Sequence, residues 1–297
     1  MTLRIIKYRK VWFILSIILV ICSVASLALF KLRFGIDFTG GSLMELQFAG
    51  QAPPAQEARQ VLEKDGLTDF VVQPVGDDGL LMRLPHMDET GHQKILSAYK
   101  EKFGDAKELR FESIGPSVGD DLRKNALWSL TLVLLGICSY IAFAFRKVSK
   151  PVASWKYGLI TLIPAIFHDV LLPLGVFAIL GHFLLVEINS AFIAAILTVL
   201  GFSVHDTIVV FDRIRENLLK TSGTFEEIVE RSVNETLARS INTSLTVFFP
   251  LLTIFLFGGE TLKWFSLALI IGLIAGTYSS IFLCAPLLVV FQKRSSR

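Results

Sequence analysis

Six long apolar stretches constrain the fold of this chain more than any other feature. A helix needs about 20 mostly apolar residues to cross the hydrocarbon of a bilayer. Four stretches of at least that length contain no Asp, Glu, Lys or Arg: 11–30, 125–145, 240–259 and 264–292. Two more apolar stretches carry acidic and imidazole side chains: about 157–180 and 188–211. The sequence therefore predicts a polytopic α-helical membrane protein with six transmembrane helices.

The composition excludes the common soluble classes. Of the 297 residues, 53% are apolar and 19% are charged, whereas about 25% of an ordinary globular domain is charged. The cysteines Cys22, Cys138 and Cys284 each lie inside an apolar stretch, so neither a disulfide framework nor a zinc site is expected. No cofactor is expected either.

The distribution of Lys and Arg predicts the orientation in the membrane. Four basic residues lie in 1–10, four in 146–156, five in 212–239 and three in 292–297, whereas 181–187 and 258–263 carry none and one. Because short cytoplasmic segments are enriched in Lys and Arg, both termini are predicted to be cytoplasmic. A cleaved signal peptide is an alternative for 11–30, but that stretch exceeds a typical signal core and no A-x-A site closes it.

The resulting domain organisation alternates short cytoplasmic segments, helices and one large extracytoplasmic segment. The segments are a cytoplasmic N-terminus (1–10), a first transmembrane helix (11–30), an extracytoplasmic domain (31–124), helices 2–6 (125–291) and a cytoplasmic tail (292–297). Two cytoplasmic loops, 146–156 and 212–239, lie between helices 2–6.

The segment 31–124 is predicted to be an α+β domain. Strand patterns at 43–48, 70–75, 80–85 and 107–114 alternate with helix patterns at 54–64 and 89–103, and the turn sequence GDDG separates the second and third strands. The order β-α-β-β-α-β is that of the ferredoxin-like fold. His86, His92 and nearby acids such as Asp88 raise the alternative of a metal site, but turn and helix-cap roles are favoured.

Ionisable side chains inside two apolar stretches point to function. His168 and Asp169 fall midway along the third predicted helix, and His205 and Asp206 fall within the fourth. A charge near the centre of a bilayer costs roughly 3 kcal/mol on insertion scales. Two carboxylates and two imidazoles in adjacent helices therefore indicate a path for protons.

A static ion pair is the alternative explanation for the same charges. Ser203 lies one helical turn before Asp206, and its hydroxyl is expected to bond the Asp206 carboxyl. Arg239 opens the fifth helix at the depth where the antiparallel fourth helix ends, so an Asp206–Arg239 pair is expected, directly or through water. Such a pair equally serves to lock two helices together.

Small residues in the sixth helix predict close helix packing. Gly272 and Gly276 form a G-x-x-x-G pattern, which allows helix backbones to approach or to slide. No G-x-x-x-x-G-K-[ST] loop occurs in the sequence, so ATP is not expected to be the local energy source. The chain is not expected to be an enzyme.

Four motifs resemble those of the bacterial SecD/SecF family of the resistance-nodulation-division (RND) superfamily, in its SecF branch. They are FGIDFTGGSLMEL at 34–46, GFSVHDTIVVFDRIREN at 201–217, ETLARSINTSLTVF at 235–248 and FSLALIIGLIAGTYSSIFLCAPL at 265–287. Their order and spacing match along the whole membrane part, whereas the segment 31–124 matches mainly in size and position.

The resemblance implies half of a pseudo-symmetric bundle that pairs with SecD. It further implies an inner-membrane complex that assists the SecYEG channel and the ATPase SecA in late preprotein export, using the proton-motive force, with YajC as an accessory partner. The expected coupling ion is the proton, and the expected clients are unfolded preproteins. The alternatives are a proton-driven RND exporter of small molecules or lipids, and a structural tether for SecD.

The family's functional positions map onto this chain residue by residue. Its intramembrane acid falls on Asp206 and its basic partner on Arg239, while His205 departs from the expected Asn. The residues implied for proton coupling are Asp206, Arg239, His205, Asp169 and Asp212. The motif residues implied for structural roles are Asp37, Gly40, Gly41, Arg213, Gly272 and Gly276.

Overall fold

The structure is a computed structural model that describes residues 3–146 and 154–295. Most of the predicted loop 146–156 and the last two residues of the predicted tail lie outside the described residues. The chain forms two compact units. The membrane unit comprises the residues up to Arg33 and those from Trp128 onward, and the sheet unit comprises Phe34–Leu127.

Helices make up most of the described residues, and the four strands all belong to one sheet. Along the chain the elements are α1 (Arg9–Phe30), α2 (Ile36–Thr39), β1 (Gly41–Phe48), α3 (Ala55–Lys64), β2 (Val71–Val75), β3 (Gly79–Leu84), α4 (Glu89–Phe103), β4 (Ala106–Ile114), α5 (Pro116–Ala144), α6 (Ser154–Pro164), α7 (Leu171–Phe183), α8 (Ser190–Lys220), α9 (Phe225–Phe257), α10 (Glu260–Ser279) and α11 (Ala285–Ser295).

Within the described residues, six helical segments are long and apolar enough to cross a membrane, as predicted. They are α1, α5, α6 with α7, α8, α9, and α10 with α11. The third and sixth are continued through π-helical turns at Ala165–Val170 and Ser280–Cys284. Each π-helical turn accommodates an extra residue and changes the face on which later side chains lie. Neither of these two turns was predicted from the sequence.

The predicted loop 212–239 is almost entirely helical. The helix α8 continues to Lys220 and α9 begins at Phe225, so that residues 221–224 alone connect them. Thr224 starts α9 with a capping box, because its hydroxyl accepts the Glu227 N–H at 3.3 Å and the Glu227 carboxylate accepts the Thr224 N–H at 2.9 Å. The charged residues of this segment therefore lie mostly on two helices joined by a short connection, and its placement in the cytoplasm stays a prediction.

The sheet unit contains α2, α3, α4, the first part of α5 and a four-stranded antiparallel sheet in the order β2-β3-β1-β4. Its elements follow one another along the chain as the turn signals indicate, with the short helix α2 as an addition. Met44 of β1 pairs with Met82 of β3 and with Phe111 of β4. The side chains of Met44, Met82 and Tyr99 are fully buried in a core shared by the sheet, α3 and α4.

The double glycine at the start of β1 allows a close backbone approach. Gly40 has φ +71° and Gly41 has φ +123°, a region that side chains disfavour. A Cβ on Gly40 would lie 3.0 Å from the Pro116 Cα, and one on Gly41 would lie 3.0 Å from the Leu84 carbonyl oxygen. Asp37 lies in the first turn of α2, at the helix end that favours a negative charge.

The acids beside the histidines of the sheet unit serve as helix caps and hydrogen-bond partners. The Asp88 carboxylate accepts the Gly91 N–H at 2.9 Å at the start of α4, and this bond, with that of Thr90, lowers the pKa of Asp88. The capping interpretation is therefore confirmed for Asp88. The His92 ring stacks on Phe111, with the ring centres 3.7 Å apart.

Candidate functional site

A hydrogen-bonded group of buried polar side chains lies inside the membrane unit, where three helical segments meet. It is called the Asp169 cluster here and consists of His168, Asp169, Ser203, Thr207, Ser279 and Ser280. Two members come from the π-helical turn before α7, two from α8, and two from the junction of α10 with the second π-helical turn. All six are at most 3% exposed.

Asp169 has polar partners at both carboxylate oxygens. Its Oδ2 accepts the Ser203 hydroxyl at 2.5 Å and the Ser279 hydroxyl at 2.9 Å. Its Oδ1 lies 3.1 Å from the His168 Nδ1. An ionised carboxylate is stable in a low-dielectric interior only when it is paired and hydrogen-bonded. Three partners from three segments therefore surround the fully buried Asp169 carboxyl group.

A second set of hydrogen bonds ties α8 to the π-helical turn of the sixth span. The Ser280 hydroxyl donates to the Ser203 carbonyl oxygen at 2.9 Å and lies 2.9 Å from the Thr207 hydroxyl. Ser280 thus links the sixth span to the backbone of Ser203. Movement of the sixth span would therefore shift Ser203, whose hydroxyl donates to Asp169.

The two glycines of α10 bring that helix against α8 beside the cluster. A Cβ on Gly272 would lie 2.4 Å from Cγ2 of Val199, and one on Gly276 would lie 2.7 Å from Cβ of Ser203. Both distances are too short for non-bonded carbon atoms, so only glycine permits this approach. The close packing predicted from the G-x-x-x-G pattern is thus present, and it positions Ser203.

Asp206 is buried, but its surroundings differ from the expectation. It is 2% exposed, and its Oδ2 has no hydrogen-bond partner among the described residues. The Ser203 hydroxyl bonds Asp169 instead of Asp206. The prediction for Ser203 was wrong because a hydroxyl has one proton to donate, and the Asp169 carboxylate on the third span receives it.

The expected direct Asp206–Arg239 pair is absent between these two described residues. Arg239 is exposed, whereas Thr236 and Ser240 are the neighbouring residues of α9 whose side chains are buried. Successive helical residues are separated by about 100° around the axis, so Arg239 lies on a different face from Ser240. His205 is likewise exposed and lies outside the Asp169 cluster.

The charged residues at the far end of α8 form a separate network. The Arg213 guanidinium contacts Glu235 of α9 at 2.7 Å and Glu216 at 2.5 Å. Asp212 is exposed and pairs with Arg215 one turn later at 2.7 Å. Sequence reasoning missed Glu235, although it stands beside Arg239 in a motif that was already singled out.

The Asp206 Oδ2 and the His168 Nε2 are among the six buried side-chain polar atoms that have no hydrogen-bond partner within the described residues. The His168 ring stacks on Tyr278, with ring centres 5.2 Å apart. A buried polar atom without a partner is costly, and a functional role or a bound water is needed to explain it. The arrangement is chemically suited to take up and release a proton, since protonation removes a buried charge and reorganises the hydroxyl donors around it.

Comparisons with known proteins agree along the whole chain. The family profile described as "Protein export membrane protein SecD/SecF, C-terminal" matches residues 94–294, and the "SecD/SecF GG Motif" profile matches residues 25–52. The protein translocase subunit SecF of Thermobaculum terrenum is 45% identical over 98% of this chain and 94% of its own length. That of Anaerolinea thermophila is 39% identical over 98% and 94%.

A solved structure with similar architecture is the crystal structure of SecDF, a translocon-associated membrane protein, from Thermus thermophilus. The TM-score is 0.85 at 30% sequence identity, covering 97% of this chain and 38% of that chain. The present chain therefore spans less than half of the SecDF polypeptide.

Proposed function

The chain belongs to the SecD/SecF family as a SecF subunit of the protein translocase, and from that premise we propose that it uses the proton-motive force to assist late steps of preprotein export. It is a multi-pass membrane protein with SecD as its partner. Beyond the family, the proposal names the proton-motive force as the energy source, the buried carboxylates as the site, and repacking of the spans as the mechanism. The proton is proposed as the coupling ion.

The observation that carries the proposal is the burial of two carboxylates in adjacent spans. Asp169 is fully buried with three hydrogen-bond partners, and Asp206 is 2% exposed with an oxygen that lacks one among the described residues. Intramembrane acids are expensive, and they commonly mark proton relays. Purely structural packing needs neither of them, because small residues already bring α8 and α10 together.

Protonation of the buried acids would change the contacts between three spans. A neutral Asp169 would lose the charge-assisted character of its bonds to Ser203 and Ser279, so the contact of α8 with the sixth span would weaken. Moving one charge across 100 mV is worth about 2.3 kcal/mol. That corresponds to a bias of about 40-fold in a two-state equilibrium. The bias is sufficient to repack a helical bundle in favour of capturing or releasing an unfolded chain.

The remaining parts of the complex are proposed from the family. We assign SecYEG, SecA and YajC as further partners and unfolded preproteins as clients, at the bacterial inner membrane with both termini in the cytoplasm. The sheet unit is proposed to be a ferredoxin-like domain on the extracytoplasmic side. Arg239, exposed on α9 within this chain, is proposed to meet a charged group of SecD. His205 and Asp212 retain only secondary proposed roles in coupling.

Two rival functions make different predictions. An RND-type exporter of small molecules or lipids is not favoured, because the full-length relatives are SecF subunits. A structural tether for SecD explains the cohesion of the Asp169 cluster without a proton. It predicts that an amide replaces each buried carboxylate without loss of export.

The test is late-stage export in cells depleted of the native subunit and supplied with Asp169→Asn or Asp206→Asn. An amide preserves the size of the side chain but has one acceptor oxygen in place of two and cannot change charge. Export is expected to fall strongly in both variants while SecD still co-purifies. The matched control is Asp120→Asn, which changes an exposed carboxylate in the first turns of α5. Wild-type export by both buried variants, with the complex intact, would refute the proposal and support the tether.

A further inference from the structure

Tyr278 lies between the Asp169 cluster and the first span. It belongs to the last turn of α10 and directly precedes Ser279, whose hydroxyl donates to the Asp169 Oδ2 at 2.9 Å. The Tyr278 ring stacks on the His168 ring, with the ring centres 5.2 Å apart and an angle of 24° between the rings. A shift of either neighbour would therefore be passed to Tyr278.

The hydroxyl of Tyr278 reaches across to α1. It donates to the Trp12 carbonyl oxygen at 2.9 Å, a normal length for such a hydrogen bond. The Phe282 ring supports the same contact, because its centre lies 5.2 Å from that of the Tyr278 ring and 4.6 Å from that of the Trp12 ring. One hydrogen bond and two ring contacts therefore join the sixth span to α1.

A separate contact fastens α1 to the third span. A Cβ on Gly175 of α7 would lie 2.5 Å from Cβ and 2.6 Å from Cα of Ser23 in α1. The two helices are therefore in direct backbone contact, which small residues permit. The helix α7 continues the π-helical turn that contains Asp169. Consequently α1 is expected to move with the Asp169 side of the bundle, and the Tyr278 hydroxyl bond must accommodate any shift of the sixth span relative to it.

The contacts of Trp12 continue into the N-terminal segment, defined here as residues 3–8. The Trp12 indole Nε1 donates to the Ile5 carbonyl oxygen at 3.1 Å. Ile5 is 2% exposed and Ile6 is fully buried in the core of the membrane unit. The Glu230 carboxylate of α9 accepts the Ile6 N–H at 3.1 Å. A displacement of Trp12 would therefore act on backbone amides whose protection can be measured.

We propose that Tyr278 is a positioning residue that passes a change in the charge of Asp169 to α1. The inference rests on the proposed function, in which protonation weakens the bond between Asp169 and Ser279. The sixth span would then shift against the third, and the hydrogen bond between Tyr278 and Trp12 would carry that shift to α1. Because α1 directly precedes the sheet unit along the chain, the link gives the buried acid a covalent route toward that unit.

The test is a double-mutant cycle, read out by hydrogen exchange of the backbone amides 5–16 in the complex with SecD. Ser279→Ala removes one hydrogen bond to Asp169, and Tyr278→Phe removes the hydroxyl while keeping both ring contacts. Loss of one hydrogen bond changes an opening equilibrium by about fivefold. Ser279→Ala is therefore expected to raise exchange of these amides by about fivefold in the wild-type chain. In the Tyr278→Phe chain the same change is expected to raise it by less than about twofold.

Two outcomes of the cycle would overturn the inference. Equal increases in both backgrounds would show that Ser279 and Tyr278 act independently. No increase in the wild-type background would show that a change at Asp169 does not reach α1. Where Ser279→Ala yields no complex, Asp169→Asn replaces it, since that variant removes the charge and keeps the size of the side chain. The cycle needs no proton gradient, so it decides the link even where the proposed function fails.

Export provides a second readout, with Tyr140→Phe as the matched control. Tyr140 lies on α5 and is 60% exposed, so this variant loses a hydroxyl of the same kind outside the link. Stimulation of preprotein release by a proton gradient is expected to fall about fivefold in Tyr278→Phe and to stay at the wild-type level in Tyr140→Phe. Wild-type stimulation in Tyr278→Phe, alongside its loss in Asp206→Asn, would overturn the inference and leave the proposed function standing. Equal losses in the two tyrosine variants would also overturn the inference, whereas full stimulation in Asp206→Asn would refute the proposed function.

Discussion

Replacement of Gly276 by alanine tests whether the approach of α10 to α8 positions the buried carboxylate. The added Cβ would lie 2.7 Å from Cβ and 3.2 Å from Cα of Ser203. Since one of these atoms belongs to the backbone, the two helices must separate. Separation stretches the pair of hydroxyl bonds, at 2.5 and 2.9 Å, by which Ser203 and Ser279 hold Asp169.

The expected loss in free energy of unfolding is judged against Gly201→Ala in α8. A Cβ at Gly201 meets nothing within 4 Å, so that variant changes helix propensity alone. Alanine exceeds glycine in helix propensity by about 1 kcal/mol, and this gain cancels between the two variants. Overpacking costs typically about 1–3 kcal/mol. Gly276→Ala should therefore unfold about 5- to 140-fold more readily than Gly201→Ala.

The assay is the unfolding equilibrium of each variant in mixed micelles, with export activity measured in parallel. Gly276→Ala is expected to lose both stability and export, whereas Gly201→Ala keeps both. Equal stability of the two alanine variants would refute the claim that Gly276 is required for this contact. Loss of stability with normal export would separate the contact from the function.

Three further predictions concern other parts of the molecule. Burial raises the pKa of the Tyr99 phenol, so the contribution of this phenol to stability is complete below about pH 10 and falls at higher pH, where the unfolded chain releases the proton. Tyr99→Phe should abolish this alkaline loss of stability, measured by hydrogen exchange of the sheet unit. An unchanged pH profile in the variant would contradict the prediction. The same variant removes the hydroxyl bond to the Ala58 carbonyl oxygen, 2.7 Å long, and should cost about 1 kcal/mol at neutral pH. Asp212→Asn should leave stability within about 0.5 kcal/mol of wild type and should lower export far less than Asp206→Asn does, because Asp212 is exposed and has only a secondary role; an export defect as strong as that of Asp206→Asn would contradict this. Gly40→Ala should destabilise the sheet unit by about 1–3 kcal/mol, measured by limited proteolysis, because of its φ of +71° and the 3.0 Å approach to the Pro116 Cα; wild-type resistance would contradict this.

Much of the architecture could be predicted because the strongest signals are local. Uncharged stretches of twenty residues mark membrane helices whatever their partners, and Gly104 after α4 marks a helix end. The π-helical turns at Ala165–Val170 and Ser280–Cys284 could not be predicted. Tertiary hydrogen bonds of residues in these turns, such as those of Asp169 and Ser280, offset the cost of the irregular helix geometry, and a single sequence does not show such bonds.

The candidate site was only partly predictable for a related reason. Position within an apolar stretch identifies Asp169 and Asp206 as unusual, but it does not say which of them a given hydroxyl reaches. Ser203 is one turn from Asp206 along α8, yet it bonds Asp169 from another span. Arg239 is exposed on α9 while its neighbour Ser240 is buried, and within the described residues it does not pair directly with Asp206. Depth can be read from sequence, whereas rotation about a helix axis depends on packing.

The central claim is that buried carboxylates couple protons to export, and the most direct test is the stimulation of preprotein release by the proton-motive force. Inverted membrane vesicles would carry SecD with either the wild-type chain or Asp206→Asn, and release would be measured with ATP alone and with an added proton gradient. The account predicts that the gradient stimulates release in wild-type vesicles and not in the variant, with ATP-driven release equal in both. Full stimulation in Asp206→Asn vesicles would contradict it.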